Sequence, residues 1–307
     1  MRHYYSGILE GKSVALLMGG PGTERAVSLR SGAAVAKALR AAGAQVSEID
    51  VTESSFSLPP SVDLVFNIIH GTFGEDGQIQ EILDGLGIPY TGEGAAGSRS
   101  AFDKIYTKAA FDRDGVPTSA WHTIRRGESP RLPMPYVVKA PRQGSSVGVH
   151  IIRKEADLPA ALDDCFQYGD EVLVEAFFSG RELTVGILGD TALPIVEIVP
   201  HEGFYDYEHK YTSGASEYFV PAAISPALTA MVQSAALAAH RSLGLEVYSR
   251  VDILLAPDGS MSVLEINTIP GMTELSLLPK AAGVAGLDFP SLCGEIAGFS
   301  LAKKPTP

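Results

Sequence analysis

The chain has only two cysteines in 307 residues, Cys165 and Cys293. They lie far apart and form neither a C-x-x-C pair nor a zinc-ligand spacing. A disulfide scaffold and a thiol redox centre are therefore excluded, and a reduced, cytoplasmic setting is expected. No run reaches the roughly 18 apolar residues of a membrane helix. The start, Met1 to Glu10, has no apolar stretch of the kind a signal peptide carries. Basic residues are scarce: 24 Lys and Arg against 36 Asp and Glu, a net charge of −12, with no basic run. That balance excludes a nucleic-acid or anionic-membrane partner. The turn Gly19-Gly20-Pro21-Gly22 lacks the G-x-G-x-x-G spacing, and no G-x-x-x-x-G-K occurs. A dinucleotide oxidoreductase and a P-loop nucleotidase are thereby disfavoured. Internal repeats and low-complexity tracts are also missing.

What is present is ordinary for a globular protein: 45% apolar and 20% charged residues, on a chain long enough for two or three compact units. The apolar run Ser13 to Met18 predicts a buried strand, followed by a glycine turn and a helix from Val27 to Ala42 stopped by Gly43. Further strands are expected at Gln45 to Val51 and Asp63 to Ile69, and a helix at Gln78 to Leu86. Alternating strand and helix predicts a parallel sheet. Beyond Gly94 the pattern changes. Helical stretches cover Ala95 to Asp114. Strands then follow at Tyr136 to Ala140, Val147 to Arg153 and Val172 to Phe178, interrupted by a helix over Glu155 to Phe166. Strands at Leu183 to Leu188 and Leu193 to Val199 and a helix from Pro226 to Leu243 complete the pattern. The expected class is α/β, turning to α+β after the first unit.

The most informative segment is a hairpin. Tyr248 to Leu255 and Ser262 to Asn267 alternate like strands, with Asp258-Gly259 as the turn. Glu265 and Asn267, two apart, share a face, and the partner strand can bring Asp252 alongside. Two carboxylates and an amide oxygen suit Mg²⁺; the same residues also fit a hairpin with a wet polar face. The Thr268 to Thr273 turn, with Pro270-Gly271, places backbone N–H groups beside them. Glu24, at the mouth of the first helix, reads either as a hydrogen-bond acceptor for a substrate amine or as a simple helix-start acid. His70, at the end of the third strand, sits where open α/β sheets bind ligands, or merely caps a turn. Lys139 precedes Gly144-Ser145-Ser146-Val147-Gly148, a loop whose N–H groups can fold over phosphate. Lys104 offers a second cation, or an ordinary surface lysine. Glu175 can accept from an adenine amino group, with Phe177 or Phe178 against the ring and Glu182 toward a ribose; an edge strand with exposed acids is the alternative. Residues 201–216 are long, aperiodic and aromatic, which predicts a mobile lid.

In this order the motifs resemble the D-alanine–D-alanine ligases of the ATP-grasp superfamily. They run from Gly19-Gly20 and Glu24 through His70-Gly71, Gly74 to Gly77, Gly144 to Gly148 and Lys210-Tyr211. Arg250-Val251-Asp252 and Glu265 to Met272 close the series. The resemblance spans Ser13 to Gly298. It implies an N-terminal substrate domain over 1–95, a central ATP-grasp domain over 96–181, and a C-terminal one over 182–307. It also implies ATP-dependent joining of two D-alanines through an acyl phosphate for peptidoglycan synthesis. Asp252, Glu265 and Asn267 would hold two Mg²⁺ ions, or Mn²⁺. Arg250 and the Gly271 N–H would stabilise an oxyanion. Glu24, Ser145 and Tyr211 would form a hydrogen-bonded set, and Glu24 with His70 would orient the first D-alanine. Ser276 and Leu277 would bind the second. Lys104, Lys139, Glu175, Ala176, Phe178, Glu182 and Lys210 would contact ATP. A homodimer is implied. Three positions depart from the pattern: Ala140 replaces a common proline, Ala176 a lysine, and Pro21-Gly22-Thr23 a serine-containing turn. A D-alanine–D-lactate ligase and a non-catalytic nucleotide-binding regulator remain the competing readings, Tyr211 and the intact charged set standing against them.

Overall fold

A computed structural model describes residues 4–200 and 216–303. The first sheet contains β1 (Ser13–Gly19), β2 (Gln45–Val51) and β3 (Leu64–Asn67), all parallel in the order β2-β1-β3. Val14 to Leu17 are fully buried, as a central parallel strand covered on both faces requires. Helix α1 (Arg25–Ala41) makes the crossover and packs on β1. Strand β3 is shorter than the expected Asp63 to Ile69. The Asn67 carboxamide accepts from the Ile69 N–H at 3.0 Å and donates to the Gly74 carbonyl at 3.1 Å. That local turn ends the ladder and delivers His70 into a bend at the sheet's carboxyl edge.

A second, antiparallel sheet has the order β4-β7-β5-β6, from β4 (Trp121–Arg125), β5 (Tyr136–Lys139), β6 (Val149–Ile152) and β7 (Glu171–Ala176). A third joins β8 (Arg181–Leu188), β9 (Thr191–Ala192), β10 (Val196–Pro200), β11 (Ser216–Phe219), β12 (Tyr248–Leu255) and β13 (Met261–Asn267). Its path is β11-β10-β8-β12-β13, with β9 on β8. The expected strand Leu193 to Val199 is thus shortened at its start to β10, with Pro194, which has no N–H for a ladder, in the gap that separates it from β9. Strands β4, β9 and β11 have no counterpart among the sequence expectations. Ser216, expected as the last lid residue, begins β11; 201–215, with Lys210 and Tyr211, lie outside the described residues. The helical stretch before β4 is two helices, Ala95–Phe102 and Lys104–Asp114. Asp103 breaks it with extended backbone and caps the second helix, accepting from Ile105 and Tyr106 N–H at 3.0 and 3.3 Å.

The core under the first sheet is shared. Val14, Leu16, Leu39 and Phe66 belong to one apolar cluster with Leu188, Leu278, Leu292 and Ile296. The last four come from β8 and from helices Leu277–Val284 and Phe289–Ala302. Neither of these helices was expected from sequence. They are rich in small apolar residues and buried on several sides, so no amphipathic stripe marks them. Helix Pro226–Ser242 covers the back of β8 and β12 through Val232, Ala236 and Ala239 against Val185, Val251 and Ile253.

One buried carboxyl fastens this arrangement. Glu93, 3% exposed, accepts from the backbone N–H groups of Glu246, Val247 and Tyr248 at 2.9, 2.8 and 3.1 Å. It ties the start of β12 to the segment leaving the first sheet. Burial pushes its pKa up from 4.5 to about 6, against the pull of those donors and of Lys303. A carboxyl whose folded pKa exceeds its unfolded one holds its proton more tightly when folded. Its contribution to stability is complete below pH 4.5 and fades as pH rises through about 6. This group alone should lower stability by about 2 kcal/mol across that window, and Glu93→Gln should remove that part of the slope. Urea midpoints of both proteins across the window test this; identical pH profiles would refute it. Glu93→Ala should lose about 2–4 kcal/mol below pH 4.5, because three N–H donors lose their acceptor, and about 2 kcal/mol less above pH 6, where the wild type has lost that contribution itself.

Candidate active site

The second and third sheets face each other across a cleft of about 870 Å³. Its apolar walls are Val137, Val149 and Ile151 on one side and Ile198, Leu254 and Leu264 on the other, with Phe177 and Phe178 at the link between the sheets. Lys104, Lys139, Ala176, Glu182, Asp252 and Glu265 also line it. A slot with apolar faces and charged ends fits a planar ring carrying an anionic tail.

At one end lies the hairpin cluster. The β12–β13 ladder pairs Arg250 with Asn267 and Asp252 with Glu265, followed by a bulge. Asp252, 7% exposed, is fully engaged. Arg250 donates to it in fork geometry at 2.9 and 2.9 Å, Thr184 at 2.6 Å and Asn267 at 3.2 Å. Glu265 lies 3.5 Å from the Lys104 ammonium, which also donates to the Gln143 carbonyl at 2.7 Å. Among the described residues no group of three His, Cys, Asp or Glu side chains is arranged to hold a metal. The donor set is instead two carboxylates and an amide on adjacent strands. Those hard oxygens fit Mg²⁺, which takes few protein ligands and completes its shell with water and phosphate.

At the other end Lys139, closing β5, pairs with the Glu175 carboxylate on β7. Glu175 was read as an acceptor facing a ligand. Its second oxygen lies 2.5 Å from the ammonium of Lys108, which sequence reasoning passed over. Burial pushes the Glu175 pKa up, but Lys139 and Lys108 outweigh it and hold it at about 2. Arg181 and Glu197, also missed, form a fork-shaped ion pair at 2.7 and 2.6 Å on the cleft wall. The Ala176 N–H is committed to the Ala120 carbonyl at 2.8 Å.

The mouth of the first sheet closes onto this cleft. Ser145 donates its hydroxyl to Glu24, which sits at the start of α1. A side chain at Gly71 or Gly144 would collide with the Glu24 carboxylate, so both glycines are needed for the close approach. Ser145 and Ser146 hold left-handed backbone, φ 51° and 62°, at a cost of order 1–3 kcal/mol each. His70 is buried. Its Nδ1 bonds the Ile269 carbonyl at 2.8 Å and its Nε2 the Ser31 hydroxyl at 3.1 Å. Burial lowers its pKa, with Arg250 adding and Glu24 opposing, which favours the neutral ring. Nδ1 then carries the proton and Nε2 accepts from Ser31, whose oxygen accepts from the Met272 N–H at 3.3 Å. Both ring nitrogens are therefore engaged with protein, and His70 holds the Pro270-Gly271 turn from both sides.

Glu75, a further residue the sequence reading left without a role, accepts from the Gly71 and Ile269 N–H groups at 3.1 and 3.2 Å. Burial and the neighbouring Glu24 raise its pKa well above the usual carboxylate value. Ser276 starts helix Leu277–Val284 and accepts from the Thr273 N–H at 3.0 Å, while Leu277 is buried. A side chain on Gly271 would press on the Ser276 hydroxyl. The structure thus gathers Glu24, Ser145, His70, Arg250, Asp252, Gly271 and Ser276 around one end of the cleft and the nucleotide candidates along it.

Comparison with known proteins agrees with this geometry. The family described as D-ala D-ala ligase C-terminus matches residues 110–297, and that described as D-ala D-ala ligase N-terminus matches 53–93. The chain is 49% identical to a D-alanine–D-alanine ligase of Methylacidiphilum infernorum over 289 residues, 94% of this chain and 95% of that one. It is 46% identical to that of Citrifermentans bemidjiense over 291 residues, 92% and 94% of the two chains. A crystal structure of the Bacillus anthracis D-alanine–D-alanine ligase complexed with ATP superposes with TM-score 0.84 at 32% identity, covering 95% and 98%. The VanG D-Ala:D-Ser ligase of Enterococcus faecalis superposes with TM-score 0.84 at 27% identity, covering 95% and 100%. The chain belongs to the D-alanine–D-alanine ligase family and has its ATP-grasp fold.

Proposed function

We propose that this chain joins two D-alanine molecules into D-alanyl-D-alanine, converting ATP to ADP and phosphate, as a step toward peptidoglycan. The observation that carries the reading is the cleft itself. An apolar slot ends in lysines and paired carboxylates beside the Glu24–Ser145 contact and the Gly271 turn. In this reading the adenine lies between the apolar walls, with Glu175, Ala176 and Phe178 at the ring and Glu182 at the ribose. Lys104 and Lys139 neutralise phosphate oxygens. Asp252, Glu265 and Asn267 would hold Mg²⁺, which would offset the charge on the phosphates. Glu24 orients the amine of the first D-alanine, and Ser145 keeps Glu24 in place. The first carboxylate attacks the terminal phosphorus and ADP leaves. The amine of the second D-alanine, aligned by Ser276 and the start of the Leu277 helix, then attacks the acyl-phosphate carbonyl. Arg250 and the Gly271 N–H stabilise the oxyanion, and phosphate leaves. His70, with both nitrogens occupied by Ser31 and Ile269, keeps Gly271 aimed at that oxygen. Lys210, toward ATP, and Tyr211, in a set with Glu24 and Ser145, belong to this reading. A homodimer is part of it as well.

Three measurements test the proposal. Phosphate release from ATP should be rapid with D-alanine and near background with L-alanine or no amino acid; equal rates in all three would overturn the activity. Glu265→Gln should lower turnover by at least about 100-fold, with the thermal midpoint little changed. Near wild-type turnover at ordinary Mg²⁺ would remove Glu265 from the metal set. With D-alanine and D-lactate offered in equal amounts near neutral pH, the dipeptide should dominate; an excess of depsipeptide would assign the chain to the lactate-using relatives.

A further inference from the structure

Glu175 stands between two lysines of unequal access. Lys139 lines the cleft, so its ammonium can meet a ligand. Lys108 is 1% exposed and lies behind the wall. Its ammonium has three neighbours, each from a different part of the fold. These are the Glu175 carboxylate on β7 at 2.5 Å, the Thr118 hydroxyl before β4, and the Val263 carbonyl of β13 at 3.5 Å. Thr118 itself donates to the same Val263 carbonyl at 3.0 Å, which fixes the acceptor Lys108 uses. Lys108 is thus anchored from the helix Lys104–Asp114 to two sheets and has no path to substrate.

The charges around Glu175 explain why such a lysine is there. Two ammonium groups and one carboxylate leave one positive charge over. If Lys139 turns to a phosphate oxygen, Lys108 and Glu175 remain as a neutral buried pair. Without Lys108, the same turn would leave a carboxylate buried and unpaired, which proteins avoid strongly. We propose that Lys108 is a positioning residue for nucleotide binding: a permanent counter-ion that holds the Glu175 carboxylate in place and frees Lys139 to exchange Glu175 for a phosphate oxygen. This rests on the reading of the cleft as a nucleotide site.

The test is ADP affinity by titration calorimetry on the full chain with Mg²⁺ present, in four proteins: wild type, Lys108→Met, Glu175→Gln and the double variant. Lys108→Met should weaken ADP by about tenfold or more in the wild-type background and by far less in the Glu175→Gln background, because a neutral amide needs no counter-ion. In steady-state assays Lys108→Met should raise the KM for ATP while changing the KM for D-alanine less than about twofold. Unchanged ADP affinity in Lys108→Met, or an equal loss in both backgrounds, would overturn the inference. If Lys108→Met does not fold, the double variant decides. Its folding would support a counter-ion role, and its failure would mean that Lys108 serves Thr118 and Val263 instead. Wild-type protein that binds no ADP would sink the nucleotide reading itself. Wild-type binding without a variant effect would sink the counter-ion role alone.

Discussion

The ion pairs that Glu175 makes with Lys139 and Lys108 show the constraint under which the whole cleft is built. Charges that are to meet a polyanion must be held out of bulk water, and charges out of water need partners at all times. Other acids along the cleft are likewise matched within the chain: Asp252 by Arg250, Thr184 and Asn267, Glu265 by Lys104, Glu197 by Arg181. A ligand entering such a site gains by exchange. It takes over a cation that already had a partner, and the partner must have something else to fall back on. Specificity then depends on how well each internal pair tolerates the swap, as much as on the contacts the ligand makes.

The same economy governs the junction with the first sheet. Ser31, His70 and Glu75 all come from around the carboxyl edge of that sheet, and all bind backbone of the Ile269 to Met272 turn. Ile269 and Met272 anchor the flanks of that turn in the apolar core, while Gly271 between them has no side chain to define its aim. Three hydrogen bonds, from α1 and from the loop that follows β3, supply that definition. The oxyanion reading of Gly271 therefore depends on residues some two hundred positions earlier in the chain.

Much of this was legible in the sequence because it was local. The hairpin from Tyr248 to Asn267 carries its own alternation and turn, so it was readable that the partner strand can bring Asp252 alongside Glu265; the pairing itself depends on the bulge between Asp252 and Ile253, which the sequence did not announce. The first parallel strand and its helix announced themselves by periodicity, and Gly144 to Gly148 by composition. What escaped had no local signature. Lys108 is one lysine among many until Glu175 is folded against it. Glu75 reads as half of a Glu-Asp pair at a turn, whereas its surroundings are set by Gly71, Glu24 and Ile269. Strand β4 is a half-exposed edge, and the helices Leu277–Val284 and Phe289–Ala302 lack a polar face. His70 was placed at the right sheet edge. That both its nitrogens are occupied depends on Ser31 and Ile269, and no spacing in the sequence encodes that pairing.

The shared core of the first sheet carries a consequence for how the chain comes into being. Val14, Leu16 and Phe66 are synthesised well before part of the apolar surface that covers them, Leu292 and Ile296. At about 5–20 residues per second, the interval between them is on the order of tens of seconds. Throughout that time a parallel sheet with an unsealed face would be tethered to the ribosome, in reach of other nascent chains. A stop codon before Leu292 would strip the first sheet of part of its cover.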